Sequence, residues 1–158
     1  MHKILIKFTL TLLLLTLVAC SYKPIHSNKK ISFEINDIIF KGEKDINKVI
    51  ERKLSQGRQN SKKNKKVYSL EIDTDKKREI VSKDSKGDPI KFELIITANY
   101  KVFDEGNLLL SNEIEKNNIY NNESDKFKLG QNEKIIIENI SEIISDNIIS
   151  SIINLNDN

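Results

Sequence analysis

Tryptophan is absent from the 158-residue sequence, which has one cysteine, two histidines, two prolines and five glycines. With a single cysteine the chain cannot form an internal disulfide. Zinc sites draw on clustered Cys and His, and no such cluster exists here. A Ser-His-Asp arrangement needs a histidine held beside a nucleophile; His2 opens the chain and His26 lies in a polar stretch. No glycine-rich phosphate loop occurs. The acids are scattered and interchangeable, so no pair stands out for glycoside hydrolysis. The sequence thus offers no catalytic residue, no metal site and no cofactor site. It also lacks a long apolar run. A spanning helix needs about 20 apolar residues, and the run from Phe8 to Val18 is stopped early by Ser21-Tyr22-Lys23-Pro24.

That short run has a different meaning. Lys3 and Lys7 form a positive start, Phe8 to Val18 is apolar or Thr, and small Ala19 precedes Cys20. A positive start, an apolar run of roughly 7–15 residues and a small-residue cleavage site mark a secretory signal. Leu17-Val18-Ala19-Cys20 reads as Leu-x-Ala-Cys, similar to a bacterial lipobox. In such a site the thiol is acylated and the cysteine becomes the first residue. Each buried CH₂ of an acyl chain contributes about 0.8 kcal/mol, and two chains anchor stably. Lipoproteins with an Asp after the cysteine favour the inner membrane. Ser21 stands there instead, so the outer membrane, on its periplasmic side, is expected.

Removing residues 1–19 leaves 139 of the 158, one domain's worth. Taking Lys3 and Lys7 from the net charge of +3 leaves +1, which is no polycation for nucleic acid. Ile, Asn and Lys are abundant together, a bias that AT-rich codons produce, so their counts carry no functional signal.

Residues 20–30 read as a polar tether. Ile31, Phe33 and Ile35 then alternate with polar residues, the period of a half-buried strand. The phase shifts at Asp37, before Ile38 and Phe40, which predicts a bulge or a strand end. Ile46, Val49, Ile50 and Leu54 recur at helical spacing and predict a helix from about Glu43 to Gln56, stopped at Gly57. A basic loop through Lys62, Lys63, Lys65 and Lys66 follows. Tyr68, Leu70 and Ile72 begin a second strand, expected to resume at Ile80 and Val81 beyond the charged residues 75–79. Residues 84–89 are dense in turn formers and predict a hairpin.

The third strand is the clearest element, with Ile90, Phe92, Leu94, Ile96, Ala98, Tyr100 and Val102 on one face. Asp104-Glu105-Gly106-Asn107 makes a second tight turn, and a fourth strand runs from Leu108 to Tyr120. After a loop at 121–125, Ile136, Ile140, Ile143, Ile144, Ile148 and Ile152 predict a final helix from Glu133 to Leu155. The expected fold is α+β with the order β-α-β-β-β-α. Two helices pack on one face of a four-stranded, mostly antiparallel sheet, with Ile96, Tyr100, Ile140 and Ile144 between the layers. The expected segments are a signal peptide at 1–19, a lipidated tether at 20–30 and one domain at 31–158.

Several motifs, in this order, resemble the LptE family of lipopolysaccharide-assembly lipoproteins in its alphaproteobacterial form. Cys20-Ser21-Tyr22-Lys23-Pro24-Ile25 looks like the family's Cys-Gly-Phe/Tyr-Lys-Pro-Leu/Ile opening. Gly87-Asp88-Pro89-Ile90-Lys91-Phe92-Glu93-Leu94 is similar to Gly-x-Pro-x-Arg-Tyr-x-Leu. Ala98-Asn99-Tyr100-Lys101-Val102-Phe103-Asp104 resembles Ala-x-Tyr-x-Leu-x-Asp. Tyr120-Asn121, Ser124 and Phe127 resemble the Tyr-Asn…Ser-x-Phe/Tyr that leads into the last helix. Lys91 replaces Arg, Ser21 replaces Gly, and the last helix is rich in Ile and Asn rather than Ala and Arg.

The resemblance implies a partner, an LptD-like outer-membrane β-barrel, in whose lumen the domain sits as a plug. It also implies a ligand, lipopolysaccharide, met by basic residues between the second and third strands and near the start of the final helix. Here those regions carry Lys83, Lys86 and Lys128. A lysine ammonium meets a lipid A phosphate as a point charge. No enzyme activity is implied. The competing class is a periplasm-facing lipoprotein of another lipid-transport assembly, such as an auxiliary subunit of an ABC system.

Overall fold

A computed structural model describes residues 33–56 and 66–156. The signal segment, Cys20, the tether, Gly57 and Lys62, Lys63 and Lys65 lie outside the described residues. The elements in chain order are β1 (Phe33–Gly42), α1 (Lys44–Gln56), β2 (Lys66–Lys83), β3 (Pro89–Asp104), β4 (Asn107–Asn121) and α2 (Lys126–Asn156). The strands form one sheet in the order β1-β2-β3-β4. β1 runs parallel to β2, and the other two pairings are antiparallel. A parallel pair cannot be closed by a tight turn and needs a crossover; α1 lies within it. The α+β order β-α-β-β-β-α and the mostly antiparallel sheet are as the patterning predicts.

The phase shift at Asp37 is a bulge. Ile35 pairs with Tyr68 and Ile38 with Leu70, so three residues of β1 span two of β2. The extra residue returns Ile38 and Phe40 to the core side, where both are half-buried. β1 ends at Gly42, whose φ of +83° suits a residue without Cβ. Beside it, Thr74 is buried. Its hydroxyl accepts the Glu43 backbone N–H at 3.0 Å and donates to Asn47 Oδ1 at 2.8 Å. Asn47 Nδ2 in turn donates to the Lys41 carbonyl at 2.9 Å. The strand end, the helix start and β2 are thus joined by one buried hydroxyl.

α1 buries Ile46, Ile50 and Leu54, one per turn, with Val49 half-buried. β2 is a single strand of 18 residues, not two pieces. The charged stretch 75–79 stays in the ladder because β3 pairs with every residue of it. Its charges are also accommodated: Lys76 reaches Glu43 at 3.1 Å, Lys77 pairs with Glu79, and Arg78 reaches Glu133 at 2.9 Å. On β3, Phe92 through Val102 are buried at alternate positions, whereas Ile90 at the strand's start is exposed.

α2 starts at Lys126, about two turns before the expected Glu133. Leu129, Ile136, Ile140, Ile144, Ile148 and Ile152 form its buried stripe. Between Leu129 and Ile136 the stripe is occupied by Glu133, which hid the first turns from apolar spacing. Ile143 is 50 % exposed, so it falls off the stripe on which its spacing had placed it. Ile96, Tyr100, Ile140 and Ile144 are all buried, as expected. Arg52 of α1 reaches Glu138 of α2 at 2.8 Å and Glu142 at 3.5 Å. Such half-exposed pairs contribute about 0–1 kcal/mol, so apolar burial carries the packing.

The sheet face opposite the core is largely polar, with acids set among Lys77, Lys91, Lys101 and the exposed Ile39 and Ile119. On adjacent rungs Asp73, Asn99 and Glu113 stand in line, as do Asp75, Thr97 and Glu115. Among the described residues no helix is long and apolar enough to cross a membrane.

Candidate functional site

The turn between β2 and β3 is built by Asp84. Its carboxylate accepts backbone N–H bonds from Lys86 at 2.9 Å and Asp88 at 2.8 Å. Its own N–H donates to the Asp88 carbonyl at 2.8 Å, and Gly87 N–H donates to the Asp84 carbonyl at 3.1 Å. Gly87 takes a φ of +92° at the turn. The start of α2 uses the same device. The Asp125 carboxylate accepts the N–H groups of Phe127 at 2.9 Å and Lys128 at 3.3 Å, the N-cap arrangement.

Asn122 clasps these two segments together. Its backbone N–H donates to the Ile90 carbonyl at 2.7 Å, and its side-chain amide to the Pro89 carbonyl at 2.8 Å. Pro89 is the pairing partner of Lys83. The β2–β3 turn and the start of α2 therefore occupy one end of the molecule. Lys83 is the last residue of β2, Lys86 lies in the turn and Lys128 is in the first turn of α2. The structure thus brings to one end the three lysines that the sequence singles out. All three are exposed, and among the described residues none forms an ion pair. Two nearby acids, Asp84 and Asp125, spend their carboxylates on backbone N–H groups. Lys66 is at the other end of β2, roughly 55 Å away along the strand.

A second cluster braces this end from within. Tyr120 Oη donates to Glu133 Oε1 at 2.5 Å, and Arg78 Nη1 meets the same oxygen at 2.9 Å. The Arg78 guanidinium also lies 4.8 Å above the Phe92 ring, whose centroid is 5.8 Å from that of Tyr120. Burial, then the hydrogen bond to Glu133, pushes the Tyr120 phenol up to about 12. The same carboxylate, through its hydrogen bond, raises Arg78. The network ties β2, β4 and α2 together one turn behind the lysines. Sequence spacing missed it; the one available signal was a glutamate at a buried-stripe position of the last helix.

No protein-family model and no curated protein sequence matches the chain. Solved structures do match it. The rare lipoprotein B of Shewanella oneidensis superposes with a TM-score of 0.55 at 15% identity, covering 77% of this chain and 99% of that one. A lipoprotein B of Nitrosomonas europaea gives 0.58 at 18% identity, covering 81% and 87%. A minor lipoprotein of Acinetobacter baumannii gives 0.54 at 16%, covering 75% and 92%. At these identities the likeness is one of fold, and it runs across nearly the whole of each neighbour.

Proposed function

We propose that the chain is an LptE-type lipoprotein, anchored through acylated Cys20 on the periplasmic side of the outer membrane. In this reading it seats in the lumen of an LptD-like β-barrel and assists lipopolysaccharide transport to the outer leaflet. The observation that carries the reading is the fold, shared over most of the chain with bacterial lipoproteins, behind a Leu-x-Ala-Cys site. Lipopolysaccharide comes from the motif resemblance and from Lys83, Lys86 and Lys128 standing at one end. A barrel lumen is polar, and a plug for it suits a largely polar sheet face over a small apolar core. The role is binding and assembly, with no bond made or broken by the domain.

Affinity isolation of the full-length lipoprotein from cross-linked outer membranes tests this. The expected partner is a large β-barrel, with lipopolysaccharide in the same fraction. Recovery of inner-membrane transporter subunits in place of a barrel would favour the competing class of lipid-transport lipoproteins.

A further inference from the structure

We infer that the end of the β2–β3 hairpin holds acyl chains of a single phosphorylated lipid, with Ile80, Val81 and Ile90 as the chain-binding side chains. This rests on the ligand reading above and names a part of the site that the lysines do not cover. The three residues are 49 %, 47 % and 45 % exposed, although all are β-branched and apolar. Ile80 pairs with Phe92, and Ile90 lies two residues before Phe92, so Ile80 and Ile90 share the core-side face. Ile90 extends the buried stripe of β3 outward past Phe92, and Ile80 flanks Phe92 on β2. Val81 is the extra residue of a bulge, since Ile80 pairs with Phe92 and Ser82 with Lys91. The bulge lets two consecutive apolar residues reach the surface.

The cationic side chains come next along the same strands. Lys83 lies two residues beyond Val81 and Lys86 follows in the turn, while Lys91, next to Ile90, faces the other side of the sheet. An apolar floor bordered by ammonium groups matches a molecule with acyl chains and a phosphate close together. It does not match an anionic bilayer surface, which is met by clusters of about 4–8 basic residues. Here Asp84, Asp88, Glu123 and Asp125 stand among Lys83, Lys86, Lys91, Lys126 and Lys128, so four acids offset five lysines and the net charge of this end is only +1. Leu108 and Leu109, exposed beside the β3–β4 turn, instead adjoin Asp104 and Glu105 and serve as the contrast.

The test uses the whole chain and three probes: hexa-acylated bisphosphorylated lipid A in detergent, the same headgroup stripped of its acyl chains, and phosphatidylglycerol vesicles. Three variants are titrated: Ile80→Thr with Ile90→Thr, Leu108→Thr as control, and Lys83→Ser with Lys86→Ser and Lys128→Ser. Threonine keeps the β-branching that strands favour, and a thermal melt confirms that each variant is folded. The double Ile variant is expected to bind lipid A roughly tenfold more weakly and the bare headgroup unchanged. The control should match the parent, and the lysine variant should lose affinity for both lipid A and the bare headgroup. If the Ile variant retains full lipid A affinity while the lysine variant loses it, the chains bind elsewhere and only the ligand reading stands. If no variant changes binding of lipid A or the bare headgroup, the ligand reading fails and takes this inference with it. Binding to phosphatidylglycerol vesicles that the Ile variant abolishes equally would assign the patch to a bilayer and overturn the single-lipid assignment.

Discussion

Gly42 and Thr74 lie backbone to backbone where β1 ends: a Cβ on Gly42 would stand 1.8 Å from the Thr74 carbonyl oxygen. Backbone cannot retreat as a flexible side chain can, and the Gly42 φ of +83° already disfavours any other residue. Gly42→Ala is therefore expected to destabilise the fold by about 3 kcal/mol or more. Gly87 has a similar φ but open space around its Cβ position, so Gly87→Ala should cost only about 1–2 kcal/mol. Chemical denaturation of the two variants checks the contrast, and equal losses would refute the backbone contact.

Ile143 and Ile144 are neighbours with opposite fates, 50 % exposed and fully buried. Ile144→Ala is expected to cost about 2–5 kcal/mol through the cavity it leaves. Ile143→Ala should fall within about 0.5 kcal/mol of the parent. A melting curve unmoved by Ile144→Ala would mean that α2 does not pack on the sheet.

Burial of Tyr120, with its hydrogen bond to Glu133, makes stability depend on pH in the alkaline range. The folded phenol is pushed up to about 12 from its ordinary 10, so folding favours the neutral form. Its contribution is complete below about pH 10 and is lost as pH rises toward 12. The loss should be roughly 1–3 kcal/mol. Tyr120→Phe removes this dependence, so the parent and the variant should converge in stability as pH approaches 12. Parallel curves between pH 9 and 12 would contradict the assignment.

Cys20→Ala is expected to abolish fatty-acid labelling and membrane partitioning, while a domain of unchanged melting temperature is still made. Continued labelling of the variant would remove the lipobox from the argument.

The triple lysine variant should lose its affinity for lipid A in a salt-dependent way, because exposed charges are screened within about 10 Å at 0.1 M ionic strength. Neutralising Lys62, Lys63, Lys65 and Lys66 should matter less despite their greater density. Equal losses from the two sets would indicate nonspecific attraction.

Most of the fold was legible because burial writes its period into the sequence. β3 shows alternation from Phe92 to Val102, and α1 shows Ile46, Ile50 and Leu54. Even the β1 bulge appeared as a phase slip at Asp37. The misses share one cause: polar groups satisfied by distant partners. Glu133 interrupts the α2 stripe because Tyr120 and Arg78 receive it, and those partners are 13 and 55 residues away. The charged stretch of β2 stays in strand because β3 pairs with all of it, and Lys76 and Arg78 reach the distant acids Glu43 and Glu133. The site was legible only as residue types in plausible loops. That Lys83, Lys86 and Lys128 share an end depends on Asn122 reaching Pro89 and Ile90, which no local pattern encodes.

The mixed pairing of the sheet also sets an order of assembly. β2, β3 and β4 form two hairpins that can zip from their turns, beginning at Lys83 with Pro89 and at Asp104 with Asn107. β1 has no such short start: from Phe33 with Lys66 to Gly42 with Thr74, every pair is about thirty residues apart. Closing a loop of that length costs entropy before any contact repays it. The first strand in the chain is thus among the last to find its place. The three-stranded meander can form first, with β1 and α1 closing onto it afterwards.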